Sequence, residues 1–164
     1  MKKTSFTSPT SGDLELEEMV LEVKKYVKKE PDEYYNLIIG TDSQARGANG
    51  KAKIDFVTAI IVHRKGKGGR YFWKKHVEER KMVLREKIYL ETTLSLATAR
   101  DLVPKLREAI APTKYDFAIH IDVGPLGDTR DMIKEVVGMV TGNGYTAKTK
   151  PESWGASSIA DKHT

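Results

Sequence analysis

Between residues 34 and 79 three strand-like runs follow one another with no helical pattern between them: "YYNLIIGTD", "KIDFVTAIIVHRK" and "GRYFWKKHVEE". β-branched and aromatic residues dominate each run, and "GKGG" between the second and third is hairpin punctuation. Runs joined this closely form an antiparallel meander. The first run also ends unusually. In "LIIGTDSQ" (37–44) a continuous apolar stretch, the pattern of a strand buried on both faces, meets an acid at Asp42. A carboxylate there is costly unless it is paired, hydrogen-bonded or bound to metal. The plain alternative is an Asx-type turn that closes the strand, with Ser43 and Gln44 completing it.

The elements around the meander complete the architecture. Upstream, "GDLELEEMVLEVKKYVKK" sets Leu16, Met19, Val20, Val23 and Val27 on one helical face, with acids early and lysines late to suit the helix dipole. This predicts a helix over 13–30, ending before Pro31, behind a polar Ser/Thr/Pro lead (1–12) expected to be disordered. Downstream, Met82 to Ile110 carries Leu84, Ile88, Ser95, Ala99, Leu102, Leu106 and Ile110 on one stripe, and Pro104 is expected to kink or divide that helix. "YDFAIHIDVG" is a strand ending in Asp122, residues 128–144 form a helix closed by Gly142 or Gly144, and "YTAKTK" is a short strand. A last helix, "ESWGASSIADKHT", begins after Pro151. The order predicts an α/β fold over 13–164: a mixed five-stranded sheet, three antiparallel strands then two parallel, with helices on both faces.

Composition narrows the chemistry. With 164 residues and 39 % hydrophobic content the chain can build a proper core. It has no cysteine, so any metal must be held by oxygen or imidazole. The net charge of +5 permits a polyanionic partner without demanding one. The longest apolar stretch, "FVTAIIV", is too short to cross a bilayer, so a cytoplasmic protein with no membrane partner is expected.

Acids stand at the ends of several elements. Asp42 and Asp122 each end a strand, and in open sheets ligand sites gather outside the carboxyl ends of neighbouring strands. Glu91 lies on the inward stripe of the long helix, to which the Leu102–Leu106–Ile110 row extends back; Glu86 on the same helix is the alternative. Asp161 lies on the last helix beside Ala156, Ser157 and Ala160. Four converging carboxylates repel and call for cations between them. Oxygen-only donors suit Mg²⁺ or Mn²⁺, and a pair of such ions can activate water and stabilise a leaving oxygen.

This order of elements and acids resembles the ribonuclease H-like superfamily. More narrowly, "GTDSQ", "HIDVG", "GMVTGNGY" and "KPESWGASSIADK" look like its YkuK-type bacterial branch. The resemblance covers about residues 32–164, leaving the helix at 13–30 as an addition. It implies a metal-dependent nuclease that hydrolyses phosphodiester bonds, with Asp42, Glu91, Asp122 and Asp161 as ligands of two Mg²⁺ or Mn²⁺ ions. Nuclease members often carry a histidine ahead of the last helix, whereas here His163 follows Asp161. The rival reading is a non-catalytic nucleic-acid-binding module on the same fold.

One further stretch, "HRKGKGGRYFWKK", holds six Lys/Arg and three consecutive aromatics. Alternation sends Tyr71 and Trp73 to one face and Phe72 to the other. As a nucleic-acid handle it would use Arg64, Lys65, Lys67, Arg70 and Lys74 on phosphates; as a charged tip it would merely blunt an edge strand. His120, inside a buried-looking strand, reads as a hydrogen-bonded core residue.

Overall fold

The computed structural model describes residues 5–48 and 50–153. In chain order these form β1 (Ser5–Ser8), β2 (Gly12–Glu15), α1 (Leu16–Lys28), β3 (Tyr35–Ala48), β4 (Lys51–Arg64), β5 (Gly69–Glu78), α2 (Leu84–Ile110), β6 (Tyr115–His120), α3 (Ile133–Gly142) and β7 (Ala147–Lys148). The strands make one mixed sheet in the order β2-β1-β5-β4-β3-β6-β7. The β3–β4–β5 meander is antiparallel, and β6 and β7 add in parallel beside β3. No described helix is long and apolar enough to cross a membrane.

The sheet has seven strands rather than five, and the difference lies in the polar lead. Residues 5–12, expected to be disordered, and 13–15, expected to begin the helix, instead contribute to the β1–β2 hairpin, which pairs onto β5 at Thr7↔Trp73. A tight turn with Gly12 at φ +69° reverses the chain, and the short two-residue period then puts Phe6, Ser8 and Leu14 inside. Phe6 is only 3 % exposed. One aromatic among serines and threonines is too faint a pattern to mark a strand, and only the open flank of β5 gives it something to pack on.

Pleating divides the work of the sheet. Leu37, Ile39, Ile60, Val62, Phe72 and Ile119 face one core together with Met19 and Val23 of α1, Leu102 and Leu106 of α2, and Val136 of α3. The opposite face carries Ile38, Ala59 and Ile61, flanked by Tyr71 and Trp73. The three described helices therefore share one face. The final helix expected over 152–164 lies outside the described residues from 154 onward. Further along β3 the helix-facing row turns polar: the Thr41 hydroxyl lies 2.9 Å from that of Thr58 and 2.8 Å from that of Ser95 on α2.

Two helix details differ from the expectation or sharpen it. Pro104 does not divide α2, which runs unbroken from Leu84 to Ile110. Pro104 and Arg100 are both exposed, so the carbonyl that the proline leaves without a partner is on the solvent side. At the end of α3 it is Gly144, at φ +85°, that reverses the chain, with the Tyr145 N–H donating to the Val140 carbonyl at 3.2 Å.

Because Phe6 anchors the hairpin, replacing it tests the ordered lead. Phe6→Ala is expected to cost about 3 kcal/mol in urea denaturation, whereas a disordered lead would leave the midpoint unchanged.

Candidate metal centre

The site begins with a mismatch of strand lengths. Gly40↔His120 is the last rung between β3 and β6, yet β3 runs on to Ala48 paired only with β4. Asp42 lies two residues beyond that rung on β3, and Asp122 lies two residues beyond the end of β6, so both stand at the crevice outside the carboxyl end of β6. Asp42 does not close its strand. It accepts the Ser43 N–H at 2.9 Å within a continuing ladder, which removes the simple turn explanation.

Glu91 reaches this crevice from α2. It is 5 % exposed, and the Ser43 hydroxyl donates to its Oε2 at 2.5 Å. Burial pushes its carboxyl up to about 8; the Ser43 bond opposes the rise, while the charges of Asp42 and Asp122 add to it. Glu86, the alternative, is elsewhere. It caps α2 by accepting the Val83 N–H at 3.2 Å and pairs with Arg80 at 3.1 Å. Asp122 has a cation already, the Lys150 ammonium at 3.0 Å from Oδ1. Among the described residues no three His, Asp or Glu side chains converge closely enough to hold a metal ion. Asp161 and His163 lie outside the described residues.

Lys150 and the role of Ser43 were the parts that sequence reasoning missed or left undivided. Lys150 follows β7, and only the parallel addition of β7 to β6 brings it beside Asp122. Ser43, which the turn reading makes part of a strand-closing turn, instead faces α2 and donates to Glu91 while Asp42 faces away. His120 is buried, 6 % exposed, and its imidazole is held down at about 4 by burial and by Lys148.

The cations of the basic hairpin have partners within the chain. The Arg64 guanidinium stacks 4.2 Å from the Tyr26 ring centre, donates to the Tyr26 carbonyl at 2.8 Å and lies near Glu30. Lys67 pairs with Glu33 at 2.5 Å and Glu30 at 3.5 Å. Arg70 also stacks on Tyr26, at 4.7 Å, Lys65 lies 6.0 Å from the Tyr34 ring and Lys74 5.2 Å from the Phe6 ring. The tip also lies at the far end of the sheet: Arg64 pairs with Tyr35, seven residues from Asp42, about 23 Å along the strand. Nor does it blunt an edge, since β1 covers β5. Of the aromatics, Phe72 enters the core while Tyr71 and Trp73 lie on the opposite face, their rings 5.8 Å apart.

The Ribonuclease H-like family model matches residues 18–164. The chain belongs to the ribonuclease H-like family. "Uncharacterized protein YkuK" of Bacillus subtilis (strain 168) is 34 % identical over 169 residues, covering 97 % of this chain and 96 % of that relative, which assigns this ribonuclease H-like chain to the YkuK-type branch. No solved structure matches. The family match begins inside α1, so most of the helix expected as an addition falls within it.

The raised carboxyl of Glu91 has a sign that can be checked. The folded protein holds this proton more tightly than the unfolded chain, so its contribution to stability is complete below about pH 4.5 and is lost as the pH rises through about 8. His120 works the other way, since its depressed imidazole removes stability only as the pH falls from about 6.5 toward 4. Between pH 6.5 and 8 Glu91 therefore dominates the pair. Glu91→Gln is expected to be more stable than the parent at pH 8 without divalent cations, by about 2 kcal/mol, and to lose the parent's slope there. Thermal melts across that range read it, and an unchanged slope would place Glu91 in a solvated setting.

Proposed function

We propose that this chain is a metal-dependent nuclease, hydrolysing phosphodiester bonds at Asp42, Glu91, Asp122 and Asp161 with two Mg²⁺ or Mn²⁺ ions. The observation that carries the reading is Glu91, a buried carboxyl made still harder to ionise by two aspartates at the same crevice. Such a group is short of positive charge, and its donors are oxygens in a chain without cysteine, the set that hard divalent cations prefer. When bound, the ions would lower the pKa of the attacking water and stabilise the leaving oxygen.

The chain's own residues have separable tasks. Ser43 holds Oε2 of Glu91 and leaves Oε1 for a ligand. Asp42 is fixed on a strand paired on both sides just before it, and Asp122 carries the Lys150 ammonium, with which a cation would compete. Asp161 enters through the resemblance of "KPESWGASSIADK" to the family alone. Membership of the ribonuclease H-like family supports nucleic acid as the partner.

A second reading, a nucleic-acid-binding module without catalysis, is favoured by one contact: the Lys150 ammonium lies 3.0 Å from Oδ1 of Asp122, one of the candidate ligands. Calorimetric titration of Mn²⁺ and Mg²⁺ into the parent and into Asp42→Asn, beside a cleavage panel of labelled RNA, DNA and hybrid, separates the two. The nuclease reading expects metal binding that Asp42→Asn abolishes, together with Mn²⁺-dependent cleavage. Lys150→Ala, which removes the competing ammonium, is expected to tighten metal binding by about 3-fold or more at low ionic strength. No metal binding even with nucleic acid present would leave the binding module.

A further inference from the structure

A second buried carboxylate lies on the same sheet face as Asp42 but outside the acid group. Asp55 of β4 is 1 % exposed and pairs in register with Gln44. It holds two cations. Arg46 Nη2 donates to Oδ1 at 2.9 Å, Arg46 Nε lies 2.6 Å from Oδ2, and Lys75 Nζ lies 3.9 Å from Oδ2. A carboxylate taken this far out of water needs compensation, which comes from the hydrogen bond to Oδ1 and from the two cationic charges beside Oδ2, although Oδ2 itself accepts no hydrogen bond among the described residues. The engagement is side-on. It leaves Nη1 out of the contact, and 56 % of the Arg46 side chain remains exposed. Asp55 thus fixes the guanidinium in one orientation while its outer edge stays open.

The surroundings of Arg46 are concave and basic. A cleft of about 330 Å³ at the β3–β4 arm is lined by Arg46, Gly47, Lys51 and Lys53, with no acid in its wall. Lys53 pairs with Glu79 at 3.6 Å, an exposed pair that water largely screens. This contrasts with the β4–β5 tip, where Glu30 and Glu33 occupy Lys67 and Arg64 is buried against Tyr26. Arg46 follows Asp42 by four residues on the same face of β3, about 13 Å along the strand, a span of a few nucleotides.

We propose that the β3–β4 arm is the surface that binds the backbone phosphates of a nucleic-acid strand leading into the acid crevice, with Arg46, Lys51 and Lys53 as the phosphate contacts. Asp55 is a positioning residue that aims Arg46. The inference rests on the reading that the partner is a nucleic acid, and it deepens that reading by moving the binding surface from the β4–β5 tip to the arm. Contacts to phosphate carry no base information, so binding here is independent of sequence.

The test is fluorescence anisotropy in EDTA, in an Asp42→Asn background, with labelled single-stranded DNA, single-stranded RNA and the corresponding duplexes over a salt series. Arg46→Ala is expected to weaken binding about 10-fold and to reduce the slope of log affinity against log salt by about one, alike for all base sequences. Arg46→Lys keeps the charge but not the planar guanidinium that Asp55 orients, so it should restore the slope and only part of the affinity. Asp55→Asn should weaken binding with the Arg46 charge intact; if that variant does not fold, Arg46→Lys carries the positioning test. Lys28→Ala on α1 removes one charge elsewhere and serves as the comparison. Affinity and slope unchanged in Arg46→Ala, a loss confined to Lys65→Ala and Lys67→Ala, or no binding by the parent would each overturn the proposal. Metal-dependent cleavage by the otherwise unsubstituted protein is scored separately. Binding mapped to the arm without cleavage upholds the arm and sinks the nuclease, whereas cleavage with an unchanged KM in Arg46→Ala does the reverse.

Discussion

Everything at the acid crevice depends on β3 being longer than its parallel neighbour. β3 and β4 pair over 14 residues each, while β6 has six. Where β6 stops, β3 loses a partner on one side and keeps it on the other, so a strand inside the sheet becomes the wall of a crevice. Pleating then gives successive residues of that wall opposite tasks. Thr41 and Ser43 tie to α2 through Ser95 and Glu91, while Asp42 between them faces the other side. A shift of one residue in register would exchange these roles and bury Asp42 under the helix, where nothing would neutralise it.

Two carboxylates are removed from water, Asp55 on the sheet and Glu91 on α2, and the fold treats them differently. Asp55 is compensated within the chain by Arg46 and Lys75. Glu91 receives a hydroxyl from Ser43 and two like-charged neighbours, so its charge is not balanced by the groups around it. Buried pairs that satisfy themselves organise structure, whereas an acid held in an unfavourable field retains a demand for a proton or a cation. The same comparison explains why the cations of "HRKGKGGRYFWKK" mean less than their number suggests. Their partners Tyr26, Glu30, Glu33 and Tyr34 come from α1 and the segment after it, and make the tip a clasp between that helix and the sheet.

Several of these features were readable in the amino-acid order. The apolar runs, the "GKGG" turn and the helical stripe identify the meander and α2, and the alternation in "YFW" sorts Phe72 from Tyr71 and Trp73 correctly, because periods of 2 and 3.6 follow from backbone geometry alone. The inward stripe favours Glu91, but Glu86 is set aside only by its place at the start of α2, where it accepts the Val83 N–H and pairs with Arg80. The β1–β2 hairpin was not legible, because a lone Phe6 among serines and threonines has no value until β5 is there to receive it. Neither was the bond between Lys150 and Asp122, which joins residues brought together only when β7 adds to β6.

By itself, then, the sequence determined the meander, α1, α2 and β6 and which of their residues point inward, since each of these is a local consequence of pattern and chirality. Which charges meet was left to the tertiary structure. Asp42, Glu91 and Asp122 act on one another, Arg46 finds Asp55, and the basic hairpin turns onto Tyr26, because strand order, register and strand length set distances between residues that are remote in the chain. Electrostatic energy depends on those distances and on burial, and neither quantity is a property of any short stretch of sequence.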